Sequence, residues 1–285
     1  MLSNFKRFIT VLALGGFVLA GCQQDETATI DNLAVDDVTI QKIKNLGFDV
    51  TNQAPTKFED GYLVEGDIYL TDKNIAEMSK PNHLPVAEQY STDNLVCGPR
   101  EITVFAQEED ASSKGPNKGA YSPAMIAGLD EAISRYNAEG LTLTFRRVSN
   151  QNQADIVMTR LNKRDERRGV LGSAGFPTSG CDPYGEIKMS GVLESSYGLS
   201  TDGIATIIAH EMGHCIGFRH TDYFDRSISC GGATSNEGDG GVGANHIPGT
   251  PTGASASKAS WMLACTDGSN RPFNNDDRTA LDYLY

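Results

Sequence analysis

Residues 210–220 read HEMGHCIGFRH, and the interpretation of the rest of the chain follows from this segment. His210 and His214 are four residues apart, so on a helix they lie about one turn from each other, with Cβ atoms roughly 5–6 Å apart. Two imidazoles at that distance can bind one metal ion. Gly217 can adopt a positive φ and end the helix, which lets His220 reach the same metal from outside it.

Three histidine ligands leave one position open in the tetrahedral coordination that zinc prefers, as in catalytic rather than structural zinc sites. Three of the chain's five histidines fall in this segment. Glu211 lies beside them, close enough to hold a water at the open position. The sequence therefore predicts one zinc ion on His210, His214 and His220, with Glu211 as the general base.

This pattern resembles that of the metzincin clan of zinc metallopeptidases, and within it the dual-action HEIGH metallopeptidases, such as the myxobacterial protease B. Residues 260–262, Ser-Trp-Met, resemble the clan's Met-turn. The resemblance implies that Met262 packs beneath the metal and is not a ligand. Residues 274–285 look like the clan's last helix. Astacins and serralysins have a tyrosine two residues after the methionine, where this chain has Ala264, so a tyrosine-assisted oxyanion is not expected.

The resemblance covers roughly residues 97–285 and implies an α+β fold. We expect a twisted, mostly parallel sheet with an active-site helix, then a smaller C-terminal subdomain with the Met-turn and the final helix. It also implies an endopeptidase that hydrolyses peptide bonds of protein or peptide substrates by metal-activated water. An extended substrate is expected to pair with an edge strand near residues 186–190.

Two other functions remain open at this point. One is a surface lipoprotein that uses a metzincin-like domain mainly for binding, and the other is a hydrolase of a non-peptide amide or ester. An intact Glu211 and an open metal position favour the endopeptidase over the binding protein.

Hydrophobic periodicity gives the remaining elements. Ser122 and Pro123 form an N-cap and first-turn pair, and Gly140 is placed to follow the helix end. A further helix is predicted at 38–46, the metal helix at 204–216, and strands at 61–70, 102–105, 141–146, 155–158 and 186–190.

The N-terminus has the form of an export signal. Lys6 and Arg7 precede an apolar run, residues 8–20, which is too short to span a bilayer. The run leads into Leu-Ala-Gly-Cys22, which resembles the lipobox of bacterial lipoproteins. That resemblance implies lipid on Cys22, export, and anchoring to the bacterial outer membrane or the cell surface. An ordinary secretory signal with an incidental cysteine is the alternative.

These features divide the chain into three parts. Residues 1–21 are a lipoprotein signal peptide, 22–95 a small acidic prodomain or accessory region, and 96–285 the peptidase domain. The formal net charge of −13 argues against nucleic acid or anionic lipid as partners, because phosphate binding needs clustered Lys and Arg. Asp239 and its neighbours could contribute to a calcium site, but they match no defined calcium loop.

Cysteine use agrees with export. Apart from Cys22 there are five cysteines, which allow up to two disulfides and one thiol. Residues 97–100, Cys-Gly-Pro-Arg, resemble the matrixin cysteine switch, although a structural disulfide at Cys97 is the stronger interpretation. Cys215 lies on the metal helix and is predicted to belong to the core or to a disulfide.

Overall fold

The computed structural model describes residues 33–51, 53–77, 89–109, 119–238, 242–251 and 259–285. Its helices are α1 (Asp37–Asn45), α2 (Asp72–Glu77), α3 (Pro123–Ala138), α4 (Lys163–Arg167), α5 (Thr201–Ile216), α6 (Ser227–Cys230) and α7 (Asn275–Leu284), with a 3-10 turn at Gln151–Gln153. Its strands are β1 (Thr56–Phe58), β2 (Gly61–Val64), β3 (Ile68–Leu70), β4 (Tyr90–Ser91), β5 (Arg100–Ala106), β6 (Leu143–Val148), β7 (Ile156–Arg160), β8 (Gly172–Ala174), β9 (Glu186–Met189) and β10 (Asn245–His246). None of the helices in these ranges is long and apolar enough to cross a membrane.

Eight strands form one sheet in the order β1-β2-β3-β8-β9-β7-β5-β6, and β4 pairs with β10 separately. Strands β6, β5, β7 and β9 run parallel to one another. Strand β8 is antiparallel to β9, β3 is parallel to β8, and β1 to β3 form an antiparallel meander. The expected α+β fold with a largely parallel central sheet is confirmed.

Helices α3 and α5 pack against each other and share one core with the inner side chains of the sheet. The cap of α3 is as expected, since the Ser122 hydroxyl accepts the Met125 N–H at 3.4 Å. The two helices approach closely at Gly128, where an added Cβ would lie 2.5 Å from Ile204. The core therefore fixes α5 on the side that faces α3.

The predicted strand over residues 61–70 is wrong, because the structure has two strands, β2 and β3, joined by a loop at 65–67. Glu65 has φ 55° and Gly66 has φ 98°, so the backbone reverses here through the left-handed region. The apolar pattern continues across this loop, which explains why the sequence reads as one strand. We call residues 65–67 the hairpin loop.

The prediction of an edge strand near 186–190 is also wrong. Strand β9 lies inside the sheet, between β7 and β8. Strand β8 was missed because its three residues, Gly-Ser-Ala, carry no apolar alternation and lie in a stretch that reads as a loop. Strand β3 then covers the other side of β8.

Residues Ala34–Tyr285 form one compact unit. Within it, α1, β2, β3 and α2 of the acidic region contribute to a second, smaller core around Ile43, Val64 and Ile68, to which Phe176 also belongs. That residues 22–95 act as a prodomain stays a prediction. The predicted signal peptide, Cys22 and Asp239 lie outside the described residues.

Candidate metal centre

Helix α5 carries His210, Glu211 and His214 and is buried along almost its whole length. Residues 203–216 are buried on every side of the helix, which is typical of a helix inside a core. At its C-terminus Gly217 has φ 111°, a left-handed conformation that glycine adopts without steric cost. The chain turns back there, as the sequence predicts, and brings His220 beside the other two histidines.

The three imidazole rings surround one point. Ring centroids are 4.7 Å apart for His210 and His214, 4.9 Å for His214 and His220, and 5.2 Å for His210 and His220. One nitrogen from each ring and one carboxylate oxygen of Asp67 all lie within 4.8 Å of one another. The structure thus brings together the three predicted ligands and adds an aspartate.

Hydrogen bonds at Nδ1 orient the rings. His210 Nδ1 is 2.9 Å from the Trp261 carbonyl oxygen, and His214 Nδ1 is 2.8 Å from that of Phe218. A carbonyl oxygen only accepts, so both Nδ1 atoms are protonated and donate. The Nε2 lone pairs are therefore left for a metal, as in most histidine metal sites.

The third imidazole is oriented by a carboxylate. His220 Nδ1 donates to Glu237 Oε1 at 2.8 Å, and Glu237 is completely buried. Arg226 donates to the same carboxylate oxygen at 2.9 Å. Burial by itself would raise the pKa of Glu237, but the charges of His220 and the arginines lower it to about 2. The sequence analysis did not identify Glu237.

The residues fit a bound zinc ion. His214 Nε2 is buried and has no hydrogen-bond partner among the described residues, a costly arrangement for a polar atom unless an ion binds it. Burial and the two neighbouring imidazoles lower the pKa of His214, which keeps it neutral, the state a metal ligand requires. Three imidazoles are a typical ligand set of zinc.

Glu211 faces the same point from α5. Its carboxylate lies against β8, and its Oε2 atom is buried with no partner in the described part of the chain. Burial raises the pKa of Glu211 well above the usual carboxyl range, and the nearby charge of Asp67 raises it further. A carboxylate with raised pKa and a free oxygen can exchange a proton with a water.

A cleft of about 240 Å³ opens beside His210 and Glu211. Its walls include the loop at residues 169–172 and the segment at 263–266. The hairpin loop at residues 65–67 also lines this cleft.

Comparison with known proteins identifies this motif. The model of the dual-action HEIGH metallopeptidase family matches residues 62–285. The chain belongs to that family. No curated protein sequence matches it. Two solved structures of myroilysin are similar at 14% identity, with TM-scores of 0.33 and 0.31, over 46% and 45% of this chain and 54% and 47% of theirs. The chain thus spans about half the length of those relatives.

In this HEIGH metallopeptidase the predicted Met-turn lies beneath α5. Met262 is fully buried, and a Cβ added at Gly213 would lie 2.5 Å from its sulfur atom. The Thr221 N–H donates to the Met262 carbonyl oxygen at 2.8 Å, which ties the turn to the residue after the third histidine. Asp222 accepts the Ala264 N–H at 2.9 Å and so holds the same turn.

The cysteines of the metallopeptidase form two disulfides, Cys97–Cys181 and Cys230–Cys265, and Cys215 remains as a buried thiol. The disulfide predicted at Cys97 is confirmed and the cysteine-switch hypothesis is wrong, since no thiol is available there. Burial raises the pKa of the Cys215 thiol, so it is protonated and belongs to the core.

Asp67 is, with Glu237, the second residue of this site that was not predicted from the sequence. Its Oδ2 atom is 3.0 Å from His220 Nε2 and 3.6 Å from His210 Nε2. Burial would raise its pKa, but the neighbouring imidazoles hold it well below the usual carboxyl range. The signal that could have located it is the Glu-Gly-Asp sequence at 65–67, which reads as a turn once the strand is divided.

Proposed function

We propose that this metallopeptidase is a zinc-dependent endopeptidase in which His210, His214 and His220 hold the metal and Glu211 is the general base. The observation that carries the proposal is the cluster of three imidazoles, beside which Glu211 lines the same cleft as His210 and has an oxygen without a partner among the described residues. General acid–base chemistry needs a carboxylate of raised pKa within reach of a water, and the raised pKa and free oxygen of Glu211 support this role.

The zinc ion supplies Lewis acidity to the scissile carbonyl and lowers the pKa of a water to about 7. Glu211 then takes the proton of the attacking water through Oε2 and delivers it to the leaving amine. The two Nδ1 bonds to backbone carbonyls and the Glu237 bond keep the imidazoles in place during these steps. Ala264 offers no hydroxyl, so no side chain at this position would share the charge of the oxyanion.

The substrate in this proposal is an extended protein or peptide chain. It enters the cleft between residues 169–172 and 263–266, whose walls are mainly uncharged, so backbone contacts are expected to matter more than charge. The protein is exported and anchored through lipid on Cys22, with residues 22–95 as its prodomain. These last statements rest on the sequence alone.

The test is to incubate a peptide library with the protein of residues 22–285 and, separately, with its Asp67→Ala variant. The zinc content of both proteins is measured in parallel. The second protein is included because the Asp67 carboxylate stands 3.0 Å from a ligand nitrogen. We expect cleavage by at least one of the two proteins, which a chelator abolishes and zinc restores. Metal-loaded protein that cleaves nothing in either form would refute the endopeptidase and leave the binding function.

A pair of variants tests the general base. Glu211→Gln keeps the size of the side chain and should retain zinc while losing hydrolysis, by about two orders of magnitude or more. Glu194→Gln removes an exposed carboxylate elsewhere and should be neutral. Normal turnover by Glu211→Gln would exclude this role.

A further inference from the structure

The carboxylate of Asp67 stands where a fourth metal ligand would stand. In a tetrahedral zinc site with bonds of 2.0–2.1 Å, neighbouring ligand atoms are about 3.3 Å apart. The Oδ2 atom of Asp67 is 3.0 Å from one imidazole nitrogen and 3.6 Å from another, which brackets that spacing. The other oxygen, Oδ1, is buried and has no partner among the described residues.

The hairpin loop that carries Asp67 is anchored on both sides of it. The Glu65 carbonyl oxygen accepts a hydrogen bond from Arg226 at 2.6 Å, and the Glu65 carboxylate accepts the Asp49 N–H at 3.0 Å. The Asp67 carbonyl oxygen accepts the Ala174 N–H of β8 at 3.2 Å. The aspartate is therefore held in place by its neighbours and does not reach the histidines by a chance side-chain rotation.

Glu65 adopts a strained conformation to make these contacts. Its φ of 55° lies in the left-handed region, which non-glycine residues rarely adopt, and such strain is found mainly where a function requires it. Its side chain is also only 1% exposed, with the guanidinium of Arg219 4.0 Å away. The loop is built to bring residue 67 to the metal point.

The hairpin formed by β2, the hairpin loop and β3 covers the sheet beside the cleft. Strand β8 would be the edge of the sheet if β3 were absent, because β3 is its neighbour on the side away from β9. Gly172 of β8 lies directly against the Glu211 carboxylate. The hairpin thus occupies both the backbone edge nearest to the general base and the open side of the histidine cluster.

We propose that Asp67 is the fourth ligand of the metal in the chain as it folds, and that the hairpin loop is a built-in inhibitor of the site. This inference rests on the proposed function, since it assigns the regulation of that same site. Three histidines and one carboxylate complete four-coordination, so no position remains for water or for a substrate carbonyl. Hydrolysis then requires that the hairpin loop leave the site and that water take the place of the carboxylate.

The experiment measures the open position directly, without peptide cleavage. The full chain and its Asp67→Ala variant are loaded with Co²⁺ and titrated with acetohydroxamate, a small metal ligand, while the visible spectrum is recorded. A site that is closed nine-tenths of the time or more lowers the apparent affinity about tenfold or more. We therefore expect half-saturation of Asp67→Ala at an acetohydroxamate concentration at least about tenfold below that of the native chain.

The control is Asp282→Ala, which removes an exposed acid of α7 that lies outside the metal cluster. It should titrate like the native chain. Equal affinity of the native and Asp67→Ala proteins would overturn the inference, and so would an equal effect of the two alanine variants. Asp67→Asn keeps the side-chain volume and takes the place of Asp67→Ala if the latter does not fold, with the same criterion.

Peptide cleavage by the same proteins separates this inference from the proposed function. A gain in both acetohydroxamate affinity and cleavage in Asp67→Ala supports both. A gain in affinity with no cleavage by any form supports Asp67 as a ligand and refutes the endopeptidase. Cleavage by the native chain as fast as by Asp67→Ala refutes the inhibitor and leaves the endopeptidase intact.

Discussion

Replacing Gly172 with alanine should slow hydrolysis and leave the metal in place. A Cβ at this position would lie 2.3 Å from Glu211 Oε1 and 2.8 Å from its Cδ, whereas ordinary contacts begin at 3.4 Å. The carboxylate must therefore move by about 1 Å, a displacement that can reduce the rate of a catalysed step about a hundredfold. The corresponding loss of transition-state stabilisation is about 2.7 kcal/mol.

Stability should change much less than activity in this variant. The atoms in the way belong to the far end of a flexible side chain, so the glutamate can give way without disturbing the sheet. We expect a loss of less than about 1 kcal/mol in the free energy of unfolding. Zinc content should equal that of the native protein, because the histidines are not touched.

The assay is kcat/KM on a fluorogenic peptide, in the native chain and in the Asp67→Ala background, together with urea unfolding. Gly180→Ala is the matched control, since an added Cβ there meets nothing closer than 3.5 Å. A Gly172→Ala protein that binds zinc and turns over like the control would refute the placement of Glu211 as the general base. A variant that fails to fold would refute the claim that the glutamate yields.

Three further outcomes follow from contacts around the site. Glu237→Gln should weaken zinc binding about 10–100-fold, because a neutral amide orients His220 less strongly. Competition with a chromogenic chelator measures the zinc affinity, and an unchanged affinity would contradict this role. Burial raises the pKa of Asp277 from its ordinary value of 3.8 to about 6, so this carboxyl is protonated more readily when the chain is folded. Asp277 should therefore lower the free energy of unfolding by up to about 3 kcal/mol as the pH rises from about 4 to about 7. Urea unfolding at several pH values should show this fall reduced by the same amount in Asp277→Asn. Replacing Cys230 and Cys265 by serine removes their disulfide and should lower the free energy of unfolding by about 4 kcal/mol, because the bond closes a loop with a sequence separation of 35 residues. The same urea assay measures this, and a loss below about 1 kcal/mol would show that the bond adds little.

The parts of the site that sequence analysis placed correctly are those that local geometry determines. The helical spacing of His210 and His214, and a glycine after the helix end, are enough to bring His220 back, and the structure has all three together. Their roles as ligands stay predictions until a metal is measured. The capped helix α3 was also expected from Ser122 and Pro123, and α7 from the resemblance of residues 274–285 to the clan's last helix.

The parts that were missed depend on contacts across long stretches of chain. Asp67 meets His220 over 153 positions, and no periodicity in the sequence records such a pairing. Glu237 is only 17 residues from His220, but it follows an irregular segment in which an acid gives no signal of burial. Strand β8 was not predicted for a different reason, because its three small residues show no strand pattern.

The position of Asp67 on a hairpin has a thermodynamic consequence. A ligand that belongs to a movable segment links two equilibria, since the metal binds more tightly when the segment is docked, and the segment docks more tightly by the same factor when the metal is bound. In this molecule the metal that supports hydrolysis would also fasten the hairpin that prevents it. Chelation should therefore weaken the docking of β2 and β3. The metal-free chain would be the form from which these strands detach most readily.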